Sequence, residues 1–238
     1  MSIRIYGKNA AREALEAGKT ILEGFAAKGT NPDLVKQAES RRIRMTVLEK
    51  PVFDVRFPGN TQGIVFEVEE YHTLTLEESL IRIRNVRNPL YVMLDGIEDP
   101  HNFGAIIRSA EAGGASGIII PKNRNCGVTG TVVKVSSGAI EHLDIVEVTN
   151  LNQTIEKLKQ SGFWIVGTDL QAEKRYDEIV ADVPLCLIIG NEGKGVSRLV
   201  RENADYNVKI PMAGKTNSLN ASVSAGILIF EILRKRTG

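Results

Sequence analysis

The chain has 238 residues, enough for one large domain or two small ones, and its 42% hydrophobic and 25% charged content is that of an ordinary globular protein. Thirty Lys plus Arg against 29 Asp plus Glu leave a net charge of +1, so composition alone does not mark a polyanion-binding protein, and such binding must rest on local patches. No apolar run approaches the ~18 residues a bilayer requires and the start (MSIRIYGKNA) has no signal-peptide pattern, so a cytoplasmic protein without membrane contact is expected.

Two cysteines, Cys126 and Cys186, fit that compartment as thiols, and Cys186 falls in an apolar run where a packing role is expected. With three His and two Cys far apart, no metal-ligand spacing is present.

Residues 1–73 read as a small α/β unit. Residues 2–6 suit a strand, Asn9 can cap a helix running to about residue 17, and 20–27 is open between helix and strand. Asn31-Pro32-Asp33 opens a helix with proline in its first turn, and 45–48 and 63–68 read as strands. Arg41, Arg42 and Arg44 form a basic cluster that suits either a solvated helix end or RNA contact. Residues 74–88 are polar and charged and read as a linker, in the form of a helix or a connector, with the second domain at 89–238.

From residue 90 onward strands and helices alternate. Strands are expected at 91–95, 117–120, 164–168, 185–189 and 208–211, and helices at 103–112, 131–137, 151–160 and 196–202. Short apolar strands separated by helices predict a mostly parallel sheet covered on both faces. The last helix, 220–236, is apolar nearly all round until Arg234-Lys235-Arg236, which suits burial in the domain or against a second subunit.

Three stretches stand out. The first is Asp99-Pro100-His101-Asn102, where Asp99 or Asn102 can cap the following helix, with Arg108 expected within an apolar helix face. The second is Gly190-Asn191-Glu192-Gly193-Lys194-Gly195, directly after an apolar strand. Its G-x-x-G-x-G spacing reverses the dinucleotide fingerprint, which disfavours a nicotinamide site, and as a bare motif it suits a structural turn as well as a binding loop. The third is Ile210-Pro211-Met212-Ala213-Gly214 followed by Ser218-Leu219-Asn220, where Ser218 or Asn220 could serve as a helix cap. No G-x-S-x-G elbow accompanies them, so a serine-hydrolase triad finds no support. Two loops that each follow a strand, so close in sequence, predict one pocket at the carboxyl edge of a sheet.

In this order and spacing, N-x-x-x-x-x-R, GNEGKG and IPMAG followed by SLNAS resemble the three signature motifs of the SpoU, or TrmH-type, RNA ribose 2′-O-methyltransferases. Tyr6-Gly7 and Gln62-Gly63-Ile64 are similar to the L30e-like substrate-binding domain of the subgroup acting on guanosine of 23S rRNA. The resemblance implies a catalytic domain of the SPOUT type whose C-terminal segment threads a trefoil knot, an exception to the rule that chains avoid knots. It also implies a homodimer and an S-adenosylmethionine pocket held by Gly190, Ile210, Met212 and Leu219, and a catalytic set of Asn102, Arg108, Glu192, Ser218 and Asn220. Neutralising a guanidinium at pH 7 costs about 9 kcal/mol, so Arg108 is expected to grip a phosphate and stabilise developing alkoxide charge rather than act as a base.

Two other readings of the resemblance are a tRNA-directed enzyme of the same family and a non-catalytic RNA-binding knot. The latter would be marked by loss of Asn102, Arg108 or Glu192, and all three are present.

Overall fold

A computed structural model describes residues 2–16, 20–69 and 71–238. The chain divides into two compact units: Met1–His72 with Val128–His142, and Thr73–Gly127 with Leu143–Gly238.

In the first unit β1 (Ser2–Tyr6), α1 (Lys8–Glu16), β2 (Ile21–Ala27), α2 (Pro32–Ser40), β3 (Met45–Leu48), α3 (Lys50–Arg56) and β4 (Ile64–Glu69) follow one another. The sheet order is β1-β4-β2-β3, with β4 antiparallel to both neighbours and β3 parallel to β2. The stretch left open at 20–27 is thus a strand, because its backbone is paired on both sides. Phe25, Phe53, Phe57 and Val65 form the core beneath it. Helix α3, which was not expected, supplies Phe53 to that core. Its Lys-Pro-Val-Phe start carries proline within the first turn, the signal that could have located it.

The second unit begins with α4 (Leu76–Arg82), β5 (Leu90–Asp95), α5 (Pro100–Ala112) and β6 (Gly117–Pro121). The linker stretch, left open between helix and connector, carries a helix started by a reciprocal capping box between Thr75 and Glu78. The chain next forms α6 (Gly130–Ser136) and a 3₁₀ turn at Ala139–His142, both in the first unit. There α6 runs so close to β1 that a Cβ on Gly130 would fall 2.0 Å from the Arg4 carbonyl oxygen.

Back in the second unit lie β7 (Asp144–Val148), α7 (Leu151–Gln160), β8 (Trp164–Thr168), β9 (Lys174–Arg175), β10 (Leu185–Gly190), α8 (Arg198–Glu202), β11 (Tyr206–Lys209) and α9 (Ala221–Thr237). Their sheet has the order β7-β6-β5-β10-β8-β11-β9, with every pairing parallel. The apolar strands are buried, as expected for a sheet covered on both faces. Strand β7 was not anticipated; its Ile145 and Val146 are buried between polar ends. Cys186 is fully buried among them, and burial pushes its thiol well above the ordinary range.

Helix α9 buries Ala225, Leu228, Ile229 and Ile232 and leaves Val223 and Phe230 about half exposed. Two of the three residues of its basic end are anchored, while Arg234 is exposed and pairs with Glu231. Arg236 donates to the carbonyls of Ala181 and Val183 at 3.0 and 3.2 Å, and Lys235 to that of Ile179 at 2.8 Å. Among the described residues no helix is long and apolar enough to cross a membrane.

One buried polar network joins α4 to the sheet. Ser79 Oγ lies 2.6 Å from the Tyr91 hydroxyl and donates to Asp144 at 3.1 Å, and Arg82 donates to the same carboxylate at 2.9 Å. Replacing Ser79 by Ala strands a buried hydroxyl and is expected to cost about 1–3 kcal/mol in urea unfolding. The further Tyr91→Phe change is expected to add less than its own single cost, a coupling that a double-mutant cycle measures.

Candidate functional site

The site is built at the carboxyl edge of the parallel sheet, where β5, β10, β8 and β11 end side by side. Gly190 at the end of β10 is in register with Asp95 at the end of β5, so the two following loops are neighbours. They are stitched together. Asn191 donates from its side chain to the Gly96 carbonyl at 2.8 Å, and the Ser197 amide donates to Asp95 at 2.7 Å.

The glycine loop closes on itself. Asn191 and Gly195 exchange backbone hydrogen bonds at 3.2 and 2.8 Å, and the Asn191 side chain accepts from the Gly193 amide at 2.9 Å. Gly195 has φ +66, a left-handed conformation that glycine adopts without steric cost. At Gly190 the constraint is proximity: a Cβ would fall 2.2 Å from Gly195 C and Val196 N. The first glycine therefore lets the loop fold back on its own strand.

Glu192 at the tip of this loop gathers the other two motifs. Its Oε1 accepts from Asn102 Nδ2 at 2.9 Å, from the Ala221 amide at 3.3 Å, and from Asn220 Nδ2. Asn220 Nδ2 also donates to Asn102 Oδ1 at 2.9 Å. Three segments far apart in sequence are thereby joined through one carboxylate and two carboxamides. Neither Asn102 nor Glu192 bonds Arg108.

The helix caps explain why each side chain is available. Asp99 caps α5, accepting from the His101 amide at 3.0 Å, which releases Asn102 for the site. Asn220 caps α9 and serves the site at once. Its Oδ1 accepts from the Ser222 and Val223 amides at 2.9 and 3.3 Å, while its Nδ2 faces Glu192 and Asn102. A Ser or Asp caps equally well but has no amide to donate. Ser218 makes no helix cap; it stands exposed on the wall of a cavity that Glu192 also lines.

That cavity has a volume of about 320 Å³, and its lining includes Gly190, Ile210, Met212 and Leu219, all four residues expected to hold a cofactor. Glu192 lines it as well. Sequence reasoning missed Thr168, Asp169 and Arg201, which form another part of its wall. The signal for the first two was available: Thr168 ends β8 and Asp169 follows it, at the same edge of the sheet as the motif loops.

Arg108 corrects an expectation. It is not set into an apolar face: Phe103, Ile106, Ile107 and Ala110 are the buried positions of α5, and Arg108 is exposed. A 3.6-residue turn carries position 108 about 100° away from Ile107. It makes no hydrogen bond or ion pair with the described residues. Cys126, in the loop after β6, has its thiol pushed up to about 11 by burial, so it supplies no thiolate at neutral pH.

The arginine cluster of the first unit is partly committed. Arg41 donates to the Leu15 carbonyl at the end of α1, and Arg44 pairs with Glu23 at 2.7 Å. Arg42 occupies a left-handed turn and is exposed. The stretches around Gly7 and Gln62 do meet: Gln62 Oε1 accepts from the Lys8 amide at 2.8 Å, and Gly7 N donates to the Ile64 carbonyl at 3.2 Å.

Comparison with known proteins gives a consistent outcome. Residues 89–230 match the model of the SpoU rRNA Methylase family, and residues 4–74 match that of the RNA 2′-O ribose methyltransferase substrate-binding domain. The chain is 42% identical over 238 residues to YacO of Bacillus subtilis, assigned to the TrmH family of tRNA/rRNA methyltransferases, covering 98% of this chain and 95% of that protein. The SpoU methyltransferase AviRb of Streptomyces viridochromogenes, solved in complex with AdoMet, superposes with a TM-score of 0.85 at 27% identity, covering 99% of this chain and 90% of that one. The AdoMet-bound rRNA methyltransferase of Sinorhizobium meliloti gives a TM-score of 0.81 at 26% identity, covering 100% and 88%.

The dual use of Asn220 is directly testable. Asn220→Asp keeps the cap oxygen but turns a carboxylate toward Glu192, and a loss of about 1–3 kcal/mol is expected in thermal unfolding. A capping residue alone would tolerate the change, so an unaltered melting curve would show that the Glu192 contact carries no weight.

Proposed function

Since the chain belongs to the SpoU rRNA methylase family, we propose that it transfers a methyl group from S-adenosylmethionine to a ribose 2′-hydroxyl of ribosomal RNA in the cytoplasm, with a guanosine of 23S rRNA as target. The observation that carries this reading is Glu192, which lines the cavity and also binds the Asn102 and Asn220 segments.

The cavity suits the donor. Its volume of about 320 Å³ falls in the range of small-molecule sites. Ile210, Met212 and Leu219 offer apolar walls to an adenine, and at Gly190 the bare backbone can approach a ligand. When bound, the donor supplies an electrophilic methyl group on a sulfonium.

The chain's own residues position the acceptor. In-line displacement needs the ribose oxygen aligned and its proton lost, and alignment supplies much of the rate. Ser218 stands exposed on the cavity wall and can hydrogen-bond the sugar. Asn102 and Asn220 are held rigid by Glu192, so the sugar meets a preorganised polar surface. Arg108, exposed and unpaired among the described residues, can take a phosphate beside the target ribose and stabilise alkoxide charge. Arg42 is the member of its cluster best placed to contact RNA, because Arg41 and Arg44 already have partners.

The trefoil knot and a homodimer belong to the same proposal. The knot is supported by the gathering of the loops after β10 and β11 and the start of α9 around one cavity. The dimer is supported by α9, whose Val223, Ile227 and Phe230 make an apolar stripe on the side away from its buried face. A second copy of the chain is its occupant, and Phe230→Glu is expected to convert a dimer to a monomer in sedimentation. A wild-type protein that sediments as a monomer would overturn this.

The assignment of YacO to a tRNA/rRNA family favours tRNA as the second reading of the substrate. Mapping methylated riboses in rRNA and tRNA from cells with and without the protein separates the two. For Arg108→Ala, kcat on a defined RNA is expected to fall by about 10²–10³-fold with donor affinity unchanged. Turnover near that of the wild type would remove Arg108 from the catalytic set.

A further inference from the structure

Asp169 is the acidic residue that the three motifs leave unexplained in the cavity wall. It follows β8 directly, and β8 lies between β10 and β11, whose loops form much of the pocket. Its backbone is tied down: the Asp169 amide donates to the Val208 carbonyl at 3.0 Å, and its own carbonyl accepts from Ala172 at 3.1 Å. The side chain is held as well. One oxygen, Oδ1, accepts from the Gln171 amide at 3.0 Å, and the other, Oδ2, lies 3.3 Å from Arg201 Nη1. Arg201 lines the same cavity.

A carboxylate has about four acceptor positions, two on each oxygen. The protein engages Oδ1 by a hydrogen bond and Oδ2 by an ion pair, so at least one acceptor position on each oxygen stays open, side by side on a fixed group. Two adjacent acceptors match two adjacent hydroxyl donors, as in a cis-diol. They match a cation less well, because Arg201 already offsets the charge.

We infer that Asp169, buttressed by Arg201, receives the 2′- and 3′-hydroxyls of the donor's own ribose and selects a ribonucleoside donor over its deoxy analogues. This rests on the reading of the cavity as the S-adenosylmethionine site. Asp169 is here a binding residue, and Arg201 and the Gln171 amide position it.

The test is calorimetric and needs no turnover. The full-length protein is titrated with S-adenosylmethionine, S-adenosylhomocysteine, and the 2′-deoxy and 3′-deoxy forms of the latter. The wild type is expected to bind each deoxy form about tenfold or more weakly than S-adenosylhomocysteine, the loss appropriate to a hydrogen bond with a charged group. Asp169→Asn is expected to lose a similar factor on S-adenosylhomocysteine and to discriminate little between it and the deoxy forms. Arg201→Gln is expected to weaken the discrimination without abolishing it, with circular dichroism verifying that both variants fold.

Equal binding of the deoxy forms by the wild type would overturn the inference without recourse to any variant. Full discrimination retained in a folded Asp169→Asn would do so too. So would a loss confined to S-adenosylmethionine, since that would assign Asp169 to the sulfonium charge. Failure of the wild type to bind S-adenosylhomocysteine at all would sink the donor-pocket reading itself, a result distinct from binding without discrimination.

Discussion

The second unit depends on one carboxylate being asked to satisfy three amides from two helix starts. Glu192 Oε1 receives Asn102, Asn220 and the Ala221 amide, and no two of its partner helices are neighbours in sequence. Hydrogen bonds to an ionised acceptor are stronger than neutral ones, which offsets the conformational entropy lost in fixing the Gly-rich loop. The same pin defines the rim of the cavity. A change at Glu192 thus alters stability and binding together, because the anchor and the wall are one side chain.

The rest of the architecture serves that arrangement. Parallel strands align all their carboxyl ends on one edge, so loops from β5, β10, β8 and β11 converge without special geometry in any of them. Asp99 takes the capping duty of α5, and Asn220 combines capping with side-chain donation on α9. Glycine at 190 permits the backbone to double back within 2.2 Å of where a Cβ would stand. Each device is local.

Much of this was legible in the chain. Apolar runs such as 185–189 announce buried parallel strands, and the three motifs lie where strand ends are expected. The four residues expected around a cofactor all line one cavity. Other features were not legible. The environment of Arg108 was misread because Ile107 and Ala110 are its neighbours in sequence but not on the helix surface. The basic cluster at 41–44 looked uniform, yet two of its three members are already occupied by Leu15 and Glu23, partners 26 and 21 residues away. Helix α6 gave no hint that it would pack in the first unit, since its own pattern is compatible with either.

By itself, the order of residues determined the two-part α/β plan, the strand-to-loop positions of the motifs and the family they belong to, because periodicity, glycine and cap residues are local signals. Only the tertiary structure decided that Asn102, Glu192 and Asn220 would touch, and that Asp169 and Arg201 would face the same cavity as the glycine loop. Those contacts join residues up to 118 positions apart. Nothing in a residue's neighbours along the chain states which strand end will lie beside it; that follows from the order in which the strands pair, a property of the whole sheet.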